Sequence, residues 1–481
     1  MLASMPTAWD RRTPLEQRRV QNVQLKQTIL QAALGYVPAV RARLAAMGKD
    51  ARLFKGTEEL PSLPAMSRRD VFDPKRNPEG PDGICLYGSE EGVKRFSDRA
   101  TLRRIARARL IGGEQDATLA IESATRAIHL HMVPGPGGRV PVAYTRDDLD
   151  LFARAGHRLA QVLGITREDR IANLIPGGPS LEHWQIVYLA MGLGARAIHT
   201  GEGGVRGLRL AAGDRSTVLV APIDDFAELL EQAAEAELDL TSIRLLVPVG
   251  GSLTLDERER IADAARALEL GDALIACAYG PAEGRVLWGE CAVPIGHSEG
   301  FGFHTYPDLD VVEILDPETG LPLPDGRPGD ITVTSLGFRG GGLPRWRSGD
   351  LAVGGVVREA CPNCGRTVPR VGPGIKRAAW QQVLHVDGVR RWIDLSIVAA
   401  VTNERATDWF LETPNGAHSG LFVHLAGVSD ASPVIELFSD LERIGMEPTQ
   451  IVSSTPQVLA ARLAERLPPW RRIGERNGSE A

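Results

Sequence analysis

IRLLVPVGGSLTLDERERIADAARALELGDALIACAYGPAEG, Ile243–Gly284, carries the periodicities that decide the fold. IRLLVPV is a continuous apolar run, as expected of a strand buried on both faces, and it ends in the turn Gly250–Gly251–Ser252. LTLDERERIADAARALEL then places Leu, Ile and Ala on one side of a helix. ALIACAYG is a second apolar strand, and it too ends in a glycine turn.

The same alternation extends upstream. RIANLIPGG reads as a strand and turn, SLEHWQIVYLAMGLGA as a buried helix, ARAIHT and STVLVAPI as short strands, and DDFAELLEQAAEAEL as an amphipathic helix. Buried strands alternating with helices imply an α/β fold, with a mainly parallel sheet flanked by helices. Ligands of such sheets sit beyond the carboxyl ends of the strands, where the Gly250–Ser252 turn, the Tyr279–Gly280 turn and the stretch around Gly135 fall. Downstream of about residue 300 the spacing shortens. DVVEILD, GDITVTS and DLAVGGVV predict a small antiparallel lobe. PRVGPG, 369–374, breaks the pattern, and WFLET, GLFVHLAG, SPVIELFSDLERIG, QIVSST and QVLAARLAERL predict a small α+β domain. The expected division is 1–372 and 373–481. At the front, residues 20–48 read as one helix and 60–85, rich in proline, as an irregular connection; the terminal IGERNGSEA is expected to fray.

A chain of 481 residues exceeds what one core sustains. Its net charge of −6 gives no general attraction to nucleic acid or anionic lipid. The basic run Lys94–Arg109 reads as a solvated helix face. No apolar stretch reaches membrane-spanning length and the N-terminus lacks an apolar signal core, so a cytoplasmic location is expected. Five cysteines in such a chain are no disulfide framework.

Three short motifs carry chemistry. In YGPAEG, Tyr279–Gly284, Glu283 stands where a carboxylate can hold Mg²⁺ against phosphate oxygens while the Tyr279 ring flanks a base. In PRWRSGDL, Pro344–Leu351, Asp350 can accept two ribose hydroxyls. Either motif, taken alone, also fits an ordinary turn. CPNCGRT, Cys361–Thr367, has knuckle spacing, and Cys291 and His304 are candidates to complete a structural zinc site; a plain turn with reduced thiols is the alternative. Cys277, inside a predicted strand, reads as core, and Cys85 is uninformative.

In this order the motifs resemble the adenylate-forming superfamily, in its phenylacetate–CoA ligase-like branch. YTRDDL, LGITREDRIANLIPGG, GGSLTLDERERI, YGPAE, GFHTYPDLDVVEILDPETG, RWRSGD and CGRTVPR follow the family order over most of the chain. The resemblance implies a large N-terminal domain and a small mobile C-terminal one. It implies activation of a carboxylic acid, aromatic or small, by ATP with Mg²⁺, release of AMP to coenzyme A, and a homodimer as one assembly. It implies roles for Glu283 in catalysis, for Tyr279, Gly280, Asp350 and Arg377 at the nucleotide, and for Gly250, Gly251 and Ser252 at the acid. It also implies Cys291, His304, Cys361 and Cys364 as metal ligands.

The chain departs from the family in three places. The phosphate loop, HMVPGPGGRVPVAYT (His131–Thr145), has lost the family's hydroxyls, and Pro134 and Pro136 each remove an N–H donor. The hinge carboxylates are Ala379 and Trp380. The tail LPPWRRIGERNG offers Arg471, Arg472 and Arg476 where the family has a lysine, and the two cations are not interchangeable. Two readings therefore stand: an active ligase with an unusual phosphate grip, or a non-catalytic relative that binds nucleotide or a partner.

Overall fold

The computed structural model describes residues 9–30, 37–48, 54–84, 99–134, 138–201, 203–317, 319–341, 343–377, 380–384, 390–394, 402, 406, 408–414, 422–426, 431–443, 450–459 and 473–476. The chain forms two compact units, Met1–Lys376 and Arg377–Ala481.

The heart of the first unit is the expected parallel array. Arg196–His199, Arg170–Asn173, Val218–Pro222, Leu245–Val249 and Ala278–Tyr279 lie side by side in that order, each pair parallel. Leu245–Val249 is buried throughout, as a strand covered on both faces must be. Helices Leu181–Leu193, Gly204–Asp214, Phe226–Glu235 and Leu255–Ala267 follow successive strands. Their ends obey capping chemistry. Thr254 and Glu257 form a reciprocal box at one N-terminus, Ser180 caps another, and Gly194 adopts the left-handed conformation (φ 67°) that ends a helix.

Beyond Ala278–Tyr279 the sheet continues antiparallel through Trp288–Gly289, Phe303–His304, Arg370–Val371 and Val356–Val357. Asp310–Leu315, Gly329–Ser335 and Trp346–Ala352 form the antiparallel lobe. In the second unit Phe422–Ala426 pairs antiparallel with Asp408–Pro414 and parallel with Gln450–Ser454, and helix Ala431–Arg443 lies between them in sequence.

Three local expectations are corrected. The single helix over 20–48 is replaced by helices Pro14–Leu30 and Pro38–Ala46, with Val37 extended (φ −122°, ψ 100°). The pyrrolidine of Pro38 disfavours helical geometry at the residue before it and opens a new first turn. Residues 60–85 contain a short helix, Arg68–Phe72, opened by a box between Ser67 and Asp70. Ile473–Arg476 pairs in parallel with Leu411–Pro414, where loose ends were expected; the exposed ladder groups of that strand supply the partner.

Two turns converge because neighbouring parallel strands end together. Val249 is the pairing partner of Ala278, and Gly250 N donates to Ala278 O at 2.9 Å. Gly280 then passes so close to the segment that leads into Trp288–Gly289 that a Cβ would lie 2.1 Å from Val286 O. Gly280→Ala is expected to cost roughly 3 kcal/mol of stability in urea denaturation. A loss below ~0.5 kcal/mol, within the range of inert surface changes, would mean that the backbone yields there.

Candidate functional site

The structure brings Glu283 and Asp350 into one neighbourhood. Tyr279 ends its strand with the side chain buried against Trp288 and Phe303, and its hydroxyl donates to Asp350 Oδ2 at 2.7 Å. Asp350 comes from Trp346–Ala352, and its backbone N–H donates to Ser348 Oγ. Four residues after Tyr279, a single 3₁₀ turn, Ala282–Gly284, presents Glu283, which is 6% exposed. Burial is the main influence that pushes the Glu283 carboxyl above its ordinary range; the Arg68 guanidinium opposes this, and the Asp350 charge adds to it.

Arg68 was not foreseen. It is 3% exposed and forms an ion pair with Glu283 at 3.3 Å. The same guanidinium donates to the carbonyls of Val133 and Gly138, which flank the altered phosphate loop. Gly135, Pro136 and Gly137 lie outside the described residues. Arg68 stands at the first position of its short helix, which is anchored through Asp70 to Arg43 (3.0 Å) and Arg76. The sequence signal that could have found this helix was the S-x-x-D pattern of Ser67–Asp70. Next to the loop, Arg285 is buried in a left-handed conformation (φ 68°). It donates to Ala143 O and Gly341 O and lies over the rings of Tyr144 and Phe338.

The remaining predicted residues fall as follows. Gly250 (φ 120°), Gly251 and Ser252 form the turn beside Tyr279, with Ile223 packed on both glycines. Ser252 Oγ accepts from Ile375 N at 2.6 Å. His183 is buried, with Nδ1 3.0 Å from Ile175 O, and Trp184 Nε1 donates to Gly178 O, so each side chain has a structural partner. The backbone of Arg377 closes strand Ile375–Arg377. Its side chain, and residues Ala379, Arg471, Arg472 and Cys85, lie outside the described residues, whereas Arg476 belongs to strand Ile473–Arg476. A cleft of about 550 Å³ lined by Gln24, Arg104, Asp147, Arg154 and Arg339 includes none of the predicted site residues.

Cys291, His304, Cys361 and Cys364 form one cluster, with their ligand atoms within 4.8 Å of one another. Strand register explains it. His304 pairs with Gly289 on one side, just before Cys291, and with Arg370 on the other, shortly after the knuckle. Cys291 Sγ and Cys361 Sγ are 3.7 Å apart, and Cys364 Sγ is 3.2 Å from His304 Nε2. Tetrahedral zinc with sulfur at ~2.3 Å spaces two sulfurs ~3.8 Å apart, so the donor set fits that ion. His304 Nδ1 lies 3.2 Å from Gly289 O, which leaves Nε2 to face the sulfurs. The thiols hydrogen-bond one another, and contact with Cys291 holds Cys361 and Cys364 below the ordinary thiol range while Cys291 is pushed up. Burial works against an imidazolium at His304, yet the bonds to Cys361 and Cys364 raise it to about 9.

The knuckle also grips the N-terminal segment. Arg366 is fully buried, with Nε donating to Asp10 Oδ2 at 3.1 Å, and Thr367 N donates to Asp10 O at 2.9 Å.

Compared with solved structures, the chain is similar to 2-hydroxyisobutyryl-CoA ligase in complex with 2-HIB-AMP and CoA in the thioesterification state. The TM-score is 0.59 at 17% identity, over 98% of this chain and 91% of that one. An open conformation of the same ligase gives 0.58 at 17% identity, over 96% and 92%. The chain shares the fold of that ligase. A phenylacetate-coenzyme A ligase from Thermus thermophilus is 41% identical over 76 residues, a stretch that covers 16% of each chain. No family model matches the sequence. Among the described residues no helix is long and apolar enough to cross a membrane.

The Tyr279–Asp350 bond couples the sheet to the antiparallel lobe. A double-mutant cycle of Tyr279→Phe and Asp350→Ala is expected to give a coupling of about 1.5 kcal/mol in chemical denaturation, the scale of a hydrogen bond to a charged group. Strict additivity would show that the two side chains do not meet in solution.

Proposed function

We propose that this protein binds an adenine nucleotide at the junction of the YGPAEG and RSGD turns and activates a carboxylic acid there. The observation that carries the reading is the 2.7 Å bond from Tyr279 to Asp350, which joins two motifs separated by 71 positions in the chain. In the proposed reaction an oxygen of the acid attacks the α-phosphorus of ATP, the bond to the bridging oxygen breaks, and pyrophosphate leaves. A coenzyme A thiolate then attacks the acyl carbon and AMP leaves with the bonding pair. Asp350 would accept from the ribose hydroxyls, Tyr279 would flank the adenine or the acyl group, and the Gly250–Ser252 turn would border the acid. Arg377 would reach the nucleotide. Glu283 suits Mg²⁺, which would supply charge neutralisation at the phosphates. The proposed home of this chemistry is the cytoplasm.

For the cysteine cluster the proposed occupant is structural zinc. Four protein donors leave no open coordination position for catalysis. Elemental analysis is expected to return one zinc per chain, and Cys361→Ser with Cys364→Ser to abolish it and lower the melting temperature by several degrees. A fully folded, zinc-free wild-type protein would sink this assignment.

A second reading, nucleotide binding without turnover, is favoured by the Arg68–Glu283 pair, because the carboxylate suited to Mg²⁺ already holds a cation. Exchange of labelled pyrophosphate into ATP across a panel of aromatic and short-chain acids separates the two. Acid-dependent exchange, abolished in Glu283→Gln, is the expected result for the ligase. Micromolar AMP binding with no exchange for any acid would favour the second reading.

A further inference from the structure

Arg68 sits at the meeting of three acceptors: Glu283 Oε1 at 3.3 Å and the carbonyls of Val133 and Gly138. These flanks of the phosphate loop turn carbonyl oxygens towards this point. An anion approaching bare carbonyls and a carboxylate would be repelled. The guanidinium reverses that sign. It cannot lose its proton, and its planar fork matches phosphate oxygens as well as carboxylate oxygens. A divalent cation and the guanidinium cannot both occupy the same face of Glu283, because like charges at that separation in a buried site repel strongly.

We propose that Arg68 is the resident cation of the Glu283 carboxylate, and that it exchanges this partner for the phosphates of an incoming nucleotide. A divalent cation then reaches Glu283 only after the exchange. The protein thereby keeps within its own chain part of the phosphate-neutralising charge that the loop no longer recruits through hydroxyls and N–H groups. This inference rests on the proposed nucleotide site, but its metal arm is independent of nucleotide.

The test uses the full-length protein with three variants, Arg68→Gln, Arg68→Lys and Glu283→Gln. Free Mn²⁺ is titrated without nucleotide and followed by electron paramagnetic resonance. Arg68→Gln is expected to bind Mn²⁺ at least tenfold more tightly than wild type, with Arg68→Lys in between. Separately, AMP is titrated by calorimetry in the presence of a chelator. Arg68→Gln is expected to weaken AMP at least tenfold, whereas Glu283→Gln, which releases Arg68 from its carboxylate, is expected to tighten it. Equal Mn²⁺ affinity in wild type and Arg68→Gln, or no Mn²⁺ binding in either, overturns the exchange. So does weaker AMP binding in Glu283→Gln. If no form binds AMP while Mn²⁺ still separates wild type from Arg68→Gln, the nucleotide reading fails and Arg68 remains the carboxylate's cation. Should Arg68→Gln fail to fold, Arg68→Lys and Glu283→Gln carry both arms.

Discussion

The hydrogen bond from Gly250 N to Ala278 O sets the register on which the rest of the site is built. It aligns the end of Leu245–Val249 with the end of Ala278–Tyr279, so the glycine turns that follow them open on the same edge of the sheet. A one-residue slip would send every side chain of the second strand to the opposite face, taking Tyr279 away from Asp350. The same register passes outward. Ala278 pairs with Gly289, Gly289 with His304, and His304 with Arg370, so the cysteine cluster takes its geometry from the strands that hold Tyr279.

A buried ion pair such as Arg68–Glu283 survives only when other groups share the desolvation. Here the guanidinium reaches two carbonyls as well as the carboxylate, and its helix is held by Asp70, which meets Arg43 and Arg76. Asp70 is itself buried; the charge of Arg43 and the bonds from Arg76 and Ser67 outweigh burial and keep its carboxyl low. A chain of alternating charges thus runs from the N-terminal helices to the YGPAEG turn. Removing an inner member strands the next one in a poorly solvated place.

The parallel sheet was legible because its central strands are apolar runs and its helices carry apolar residues on one side. Those are local signals, and the reciprocal box of Thr254 with Glu257 is a further one that the structure adds. The cysteine knuckle was legible from the spacing of two cysteines, and Cys291 and His304 were named as its completion through the family resemblance; spacing alone does not encode the strand pairing that brings them there. Arg68 was hidden because a proline-rich stretch masks a five-residue helix, and because an arginine in such a stretch reads as solvated. Val37 and Pro38 show the opposite failure. Apolar spacing at helical period outvoted a proline, although the ring dictates the geometry of its neighbour.

The salt bridge between Asp10 and Arg366 spans 356 positions of the chain. During synthesis the first segment leaves the ribosome long before its anchor exists. At typical elongation rates the delay is roughly 20–70 s, far longer than helix formation or collapse. Throughout that interval Asp10 has Arg158, 3.7 Å away, but not Arg366, and Cys291 and His304 wait for the knuckle as well. Closure of this fold is therefore a late event: a nascent chain stalled before residue 361 lacks both the Arg366 partner of Asp10 and the Arg370–Val371 strand that pairs with Phe303–His304, which leaves that edge unpaired.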